Sequence, residues 1–169
     1  MPLKSSAYEL YFADEMRYGL ISNFRRSWSK VGERTIIDSQ QYFDNRYLFS
    51  AIAPLSGDSF HLMGIDGFDS EAAHVFLLEL KKRHPDHMVI LVWDNAPCHR
   101  LMVHRKIPGL IVLFLPPYAP ELNPDERLNA DLKHEISTKV PVRTKAKLKA
   151  ATSQYMSKLE QNPERVRSN

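Results

Sequence analysis

The sequence predicts an α/β protein, a mixed five-stranded sheet flanked by helices. Three observations carry this. Apolar runs of strand length alternate with segments of helical period along the 169 residues. Met88-Val89-Ile90-Leu91-Val92-Trp93 is continuous and apolar, which predicts a strand buried on both faces of the sheet. It breaks abruptly into Asp94-Asn95-Ala96-Pro97-Cys98-His99. An acid therefore stands where a central strand ends, the rim at which open α/β sheets bind ligands.

Taken in order, Tyr8 to Ala13 is rich in strand formers and runs into Asp14-Glu15, so a second strand is predicted to end on acid. Met16 to Gln41 is polar, carries Gly19 and Gly32 and has no clear period, so it reads as loop with short strand pieces. Tyr47 to Ala53 and Phe60 to Ile65 flank Pro54-Leu55-Ser56-Gly57-Asp58, the pattern of a hairpin with a longer loop. A helix follows, with Asp69 as N-cap, Ala73, Phe76, Leu77 and Leu80 on one face, and a stop before Pro85. After the strand ending at Asp94, Leu110 to Leu115 forms another. Asn123-Pro124-Asp125-Glu126 is a strong helix start, with Asn at N-cap, Pro at N1 and acids at N2 and N3. That helix is predicted to reach about Thr138. Pro141 separates it from a last helix, in which Leu148, Ala151, Tyr155 and Leu159 share a face and Asn162-Pro163 marks the end.

The bulk properties narrow the class. The length suits one domain, residues 1–169, able to bury a core without staples. The single cysteine, Cys98, excludes an internal disulfide framework and suits a reducing cytosol. No signal peptide and no bilayer-length apolar run is found, so no membrane partner is expected. Net charge is only +3, but Arg143, Lys145, Lys147, Lys149, Lys158, Arg165 and Arg167 face only Glu160 and Glu164 after Pro141. A second basic stretch, Arg25-Arg26-Ser27-Trp28-Ser29-Lys30, carries an aromatic. Both point mildly to a polyanion.

If the strands reaching Asp14 and Asp94 are parallel neighbours, their carboxylates meet at one rim, and the helix starting at Pro124 brings a third acid across. Carboxylates so gathered repel unless a cation neutralises them. Oxygen ligands favour Mg²⁺ or Mn²⁺ over zinc, and such sites hold two ions about 4 Å apart that act on a phosphodiester. Cys98, His99 and His104 lack zinc-ligand spacing. Each acid also fits a structural role. Asp14-Glu15 can open a turn, Asp94-Asn95 can terminate a strand, Glu126 suits the N3 position of a capping box with Asn123, and Asp125 suits the helix dipole. The combination is what carries the prediction.

That combination resembles a known family. Phe12-Ala13-Asp14-Glu15, Trp93 to His99, and Leu115-Pro116-Pro117-Tyr118-Ala119-Pro120-Glu121-Leu122-Asn123-Pro124-Asp125-Glu126-Arg127 are similar to the catalytic domain of DDE transposases, in the insertion-sequence-630 branch of the mariner-like superfamily. The resemblance implies a ribonuclease-H-like fold and Mg²⁺-dependent DNA cleavage at transposon ends, followed by attack of the freed 3′-hydroxyl on target DNA. It implies Asp14, Asp94 and Glu126 as catalytic metal ligands for two ions, with Mn²⁺ as a substitute. Glu15, Asn95, His99 and Asn123 would stand beside them in support. Arg25, Arg26, Lys30, Lys133, Lys145 and Lys149 are the expected DNA contacts. The resemblance further implies a homodimer on DNA in a bacterial cytoplasm, at the nucleoid.

Two departures accompany it. Asp94 and Glu126 lie 32 positions apart, a few short of the usual spacing in mariner-like relatives. Adjacent helical residues point about 100° apart, so Asp125 and Glu126 cannot both face the metals easily, and Glu126 is chosen. The family's N-terminal helix-turn-helix domain has no room before the first strand, so end recognition is expected from a separate subunit, or the chain is a fragment or remnant. An inactive remnant that binds DNA without specificity, or another ribonuclease-H-like nuclease, are the alternative readings.

Overall fold

A computed structural model describes residues 8–21, 30–32, 41–65, 69–96, 99, 105–117, 119–139 and 145–168. Five strands form one sheet in the order β3-β2-β1-β4-β5. They are β1 (Tyr8–Ile21), β2 (Gln41–Ala53), β3 (Asp58–Ile65), β4 (Met88–Trp93) and β5 (Leu110–Phe114). The first three are antiparallel neighbours, whereas β4 runs parallel to both β1 and β5. This mixed sheet flanked by helices is consistent with the ribonuclease-H-like architecture that was expected.

Two strand expectations need correction. The first strand does not stop at Ala13, and the region after Met16 is not loop as far as Ile21. β1 continues because β2, 13 residues long, supplies an antiparallel partner from Phe12↔Ile52 to Ile21↔Gln41. Pairing with a distant strand satisfies backbone groups that local propensity alone would leave open. Asp14 and Glu15 are thus inside a strand and point to opposite faces. The second correction concerns β4, which is buried on one face only. Val89, Leu91 and Trp93 are buried, while Met88 is 44% exposed and Ile90 and Val92 are half-buried.

Helices explain the difference between the faces. On one face lies α1 (Ser70–Arg83), whose Ala73, Phe76, Leu77 and Leu80 pack with Tyr11, Phe49, Leu91 and Trp93. Asp69 caps it, accepting from the Ala72 N–H at 2.9 Å. On the other face lie α2 (Pro124–Lys139), α3 (Lys145–Glu160) and α4 (Pro163–Arg167). Their Leu128, Leu132, Leu148, Tyr155, Met156, Leu159 and Val166 bury Met16, Leu48 and Ile52. These helices pack over β1, β2 and β3, so the second face of β4 and β5 is less covered, and Ile111 and Leu113 remain exposed.

The hairpin expected between β2 and β3 is present. Gly57 adopts φ +80°, a left-handed conformation that favours glycine, and its N–H donates to the Ala53 carbonyl at 2.7 Å. Asn162 does more than end α3, since its side chain also accepts from Arg165 N–H and starts α4. Among the described residues no helix is long and apolar enough to cross a membrane.

Candidate functional site

The site gathers around the end of β4. Pairing of Phe12 with Val92 on parallel strands puts Asp14 and Asp94 each two residues further along from that pair. β1 directs Asp14 toward α2 and Glu15 toward the α1 face. The N-terminus of α2 is latched to β1, because Asn123 Nδ2 donates to the Ala13 carbonyl at 2.9 Å. The Asn123 side-chain oxygen accepts from Asp125 N–H at 3.1 Å, and its carbonyl from Glu126 N–H at 3.2 Å. One residue therefore caps the helix and fixes it to the strand that carries Asp14.

α2 turns Asp125 and Glu126 in different directions. Asp125 is fully buried against β2, where Ser50 Oγ donates to its Oδ2 at 2.6 Å. Glu126 is exposed, yet its charge is among the causes that raise the Asp14 pKa. One turn on, Asn129 Nδ2 donates to Asp14 Oδ2 at 2.8 Å.

On the other side of β1, His99 bridges two acids. Its Nδ1 lies 2.5 Å from Asp94 Oδ1 and its Nε2 lies 2.8 Å from Glu15 Oε1. The imidazole stacks on Trp93, with ring centroids 4.0 Å apart and planes at 20°. His99 and Glu15 are almost wholly buried, whereas the Asp94 side chain keeps 51% of its surface in water. Asp94 Oδ1 also accepts from Ala96 N–H at 3.2 Å, which shapes the turn after the strand.

Electrostatics follow from this packing. Burial pushes Asp14 up to about 7, and Glu126 and Glu15 add to the rise while Asn129 opposes it. Burial raises Glu15, against the pull of His99. Burial also raises Asp125 well above the carboxylate range, and the Ser50 hydroxyl opposes this. The His99 hydrogen bond lowers Asp94. Burial pulls His99 down, but hydrogen bonds to Asp94 and Glu15 win and lift it to about 9.

Two carboxylates, Asp94 and Glu15, thus hold the imidazole on one side of β1, and Asp14, Asp125 and Glu126 gather on the α2 side. Hard oxygen donors suit a divalent cation, and the repulsion that Asp14 feels from Glu126 and Glu15 is of the kind a cation relieves. Among the described residues, Glu15, Asp94 and His99 form a group able to chelate one, their ligand atoms lying within 4.8 Å of one another. Asp14 and Glu126 stand outside that group, on the α2 side.

The remaining predicted residues are scattered. Asn95 is half-buried next to Asp94, and Lys30, Lys133 and Lys149 are exposed. Arg25, Arg26 and the Lys145 side chain lie outside the described residues. Sequence reasoning missed Ser50 and Asn129. A signal existed for both: Ser50 interrupts the apolar strand Tyr47 to Ala53, and Asp125, Leu128, Asn129 and Leu132 share one helical face that is half polar.

Comparison with known proteins gives a family and a fold. The family described as DDE superfamily endonuclease matches residues 9–149. Comparison with curated proteins gives no match. The Mos1 mariner paired-end complex with Mn is similar at TM-score 0.65 and 16% identity, over 95% of this chain and 55% of that one. The Mos1 paired-end complex with the left transposon end gives 0.62 and 16%, over 98% and 56%. The catalytic core domain of BIV integrase gives 0.51 and 20%, over 88% and 80%. At these identities the likeness is one of fold. The chain spans little more than half the length of the Mos1 chains it matches.

Proposed function

Since the chain belongs to the DDE superfamily endonucleases, we propose that it is a transposase catalytic domain of the insertion-sequence-630 branch of mariner-like elements. It cuts DNA at transposon ends and joins the freed 3′-hydroxyl to target DNA. The observation that carries this reading is the parallel pairing of β1 and β4, which sets Asp14 and Asp94 on neighbouring strands, with Asp14 pushed up to about 7 by burial and by the nearby Glu126 charge. Such a group is best ionised beside a cation.

Asp14, Asp94 and Glu126 are the residues that would hold Mg²⁺, or Mn²⁺ in its place, as two ions. When bound, such ions activate the attacking water or hydroxyl and stabilise the leaving oxygen of a phosphodiester. The protein's own residues orient the rest. Adjacent parallel strands give Asp14 and Asp94 a rigid base, and the Asn123 latch delivers Glu126 from α2. His99, stacked on Trp93 and backed by Glu15, fixes the orientation of Asp94. Lys30, Lys133 and Lys149, with Arg25, Arg26 and Lys145, supply phosphate contacts that are weak, salt-sensitive and indifferent to sequence. The working assembly is a homodimer on DNA at the bacterial nucleoid.

The test is nicking of supercoiled plasmid with Mn²⁺, wild type beside Asp94→Asn. Nicking and the Mn²⁺-induced rise in melting temperature should both vanish in the variant, which should remain folded. A variant that nicks like wild type rejects the assignment. One distance favours a second ligand set, since Glu15, Asp94 and His99 bring their ligand atoms within 4.8 Å. Loss of Mn²⁺ binding in Glu15→Gln, with binding kept in Glu126→Gln, would select that set instead.

A further inference from the structure

Between the sheet and α2 lies a buried polar patch that the reading above leaves without a role. Ser50, Asp125 and Asn129 are each 2% exposed or less, in an interface otherwise built from Met16, Leu48, Leu128 and Leu132. Apolar side chains would fill this space at lower cost, because every buried polar group must be matched by a partner.

The partners form a chain that ends on Asp14. Antiparallel pairing sets Ser50 opposite Asp14 on adjacent strands, and α2 presents Asp125 and Asn129 one turn apart above them. Ser50 Oγ donates to Asp125 Oδ2 at 2.6 Å and lies 3.5 Å from Asn129 Oδ1. The Asn129 amide then donates through Nδ2 to Asp14 Oδ2 at 2.8 Å. The amide oxygen faces β2, and the amide nitrogen reaches the acid.

We propose that Asn129 is the positioning residue for Asp14, holding one carboxylate oxygen so that the other is presented to a divalent cation. The inference rests on the metal-site reading above. An amide is suited to this task. Lysine or arginine at the same place would neutralise Asp14 and compete with the ion, and an acid would repel it. Asn129 restricts the rotation of the carboxylate without changing the charge of the site.

The experiment is a Mn²⁺ titration of the full chain followed by electron paramagnetic resonance, well below the melting temperature, with ion-free melting measured separately. Asn129→Leu should weaken Mn²⁺ binding about 10- to 100-fold, as loss of a residue supporting a ligand does, at a temperature where the ion-free variant is still folded. A merely structural asparagine would lower the ion-free melting temperature and leave the affinity unchanged, and that result overturns the proposal. Should the leucine variant misfold, Asn129→Ser gives a smaller side chain that keeps a donor. Its hydroxyl is one bond too short to reach Asp14, so Mn²⁺ affinity should again fall about 10-fold or more, and wild-type affinity would overturn the idea. Wild-type protein that fails to bind Mn²⁺ rejects the metal site itself. Wild-type binding that Asp94→Asn abolishes and Asn129→Leu leaves intact rejects only the role of Asn129.

Discussion

Replacing His99 with alanine should be costly even in the absence of any metal. The imidazole sits between Asp94 and Glu15, and the side chains on its two sides differ sharply in exposure, 51% against 8%. Asp94 can turn to water when the ring is removed, whereas Glu15 is left buried without its partner. Breaking a buried pair by deleting one member typically costs about 3–5 kcal/mol. The half-exposed Asp94 argues for the lower end, about 3 kcal/mol, and loss of the stack on Trp93 adds about 1 kcal/mol. With a urea dependence of about 2 kcal/mol per molar, a total near 4 kcal/mol moves the unfolding midpoint down by about 2 M. The assay is urea unfolding in EDTA, followed by tryptophan fluorescence. Glu15→Gln placed on the His99→Ala background should recover about half of the loss, because it removes the stranded charge. A midpoint change below about 0.5 M in the single variant, or no recovery in the double, would refute the argument that Glu15 depends on His99.

Three further outcomes are expected. Gly57→Ala should destabilise the protein by about 2–4 kcal/mol in thermal unfolding, since the position has φ +80° and a Cβ there would lie 2.8 Å from the Pro163 carbonyl oxygen, which is backbone. His61 faces Glu160 at 3.0 Å and also feels Arg83, and burial lowers its pKa below the ordinary 6.5 despite the pull of Glu160. The unfolded chain then binds the proton more readily, so stability should fall as pH drops below about 6.5, and His61→Gln should flatten a melting-temperature profile across that range. Reversing two exposed lysines together, Lys133→Glu with Lys149→Glu, should weaken binding equally to unrelated DNA duplexes. It should also reduce the slope of log affinity against log salt by about 2, read by fluorescence anisotropy.

Several parts of this architecture are legible from local chemistry. α1 announces itself through the Asp69 cap, a one-faced apolar stripe and Pro85, all of which act within a few residues. The same holds for the Asn123-Pro124 start of α2 and for the break after Trp93. What could not be read depends on partners remote in the chain. The polar half of β1 is a strand only because β2 lies alongside it, and no feature of Asp14 to Ile21 states that. The one-sided burial of β4 reflects where α2, α3 and α4 sit, whereas its uniform apolar sequence implies cover on both faces. The bridge from His99 to Glu15 spans a sheet face, and Ser50 reaches Asn129 only through the docking of α2 on β2. Helical period did separate Asp125 from Glu126, but not that the inward acid would be met by a serine.

Asp14 and Glu15 are consecutive in β1, and each is committed to a different environment, one under Asn129 and one against His99. Parity along this strand consequently acts as an address. Adding or deleting a single residue upstream in β1 would turn each carboxylate to the opposite face of the sheet, undoing both halves of the centre while leaving composition almost untouched. Even a two-residue step, which keeps the face, would carry each acid about 7 Å along the strand and away from its partner, so the length of this strand is fixed more tightly than the identity of its outer residues.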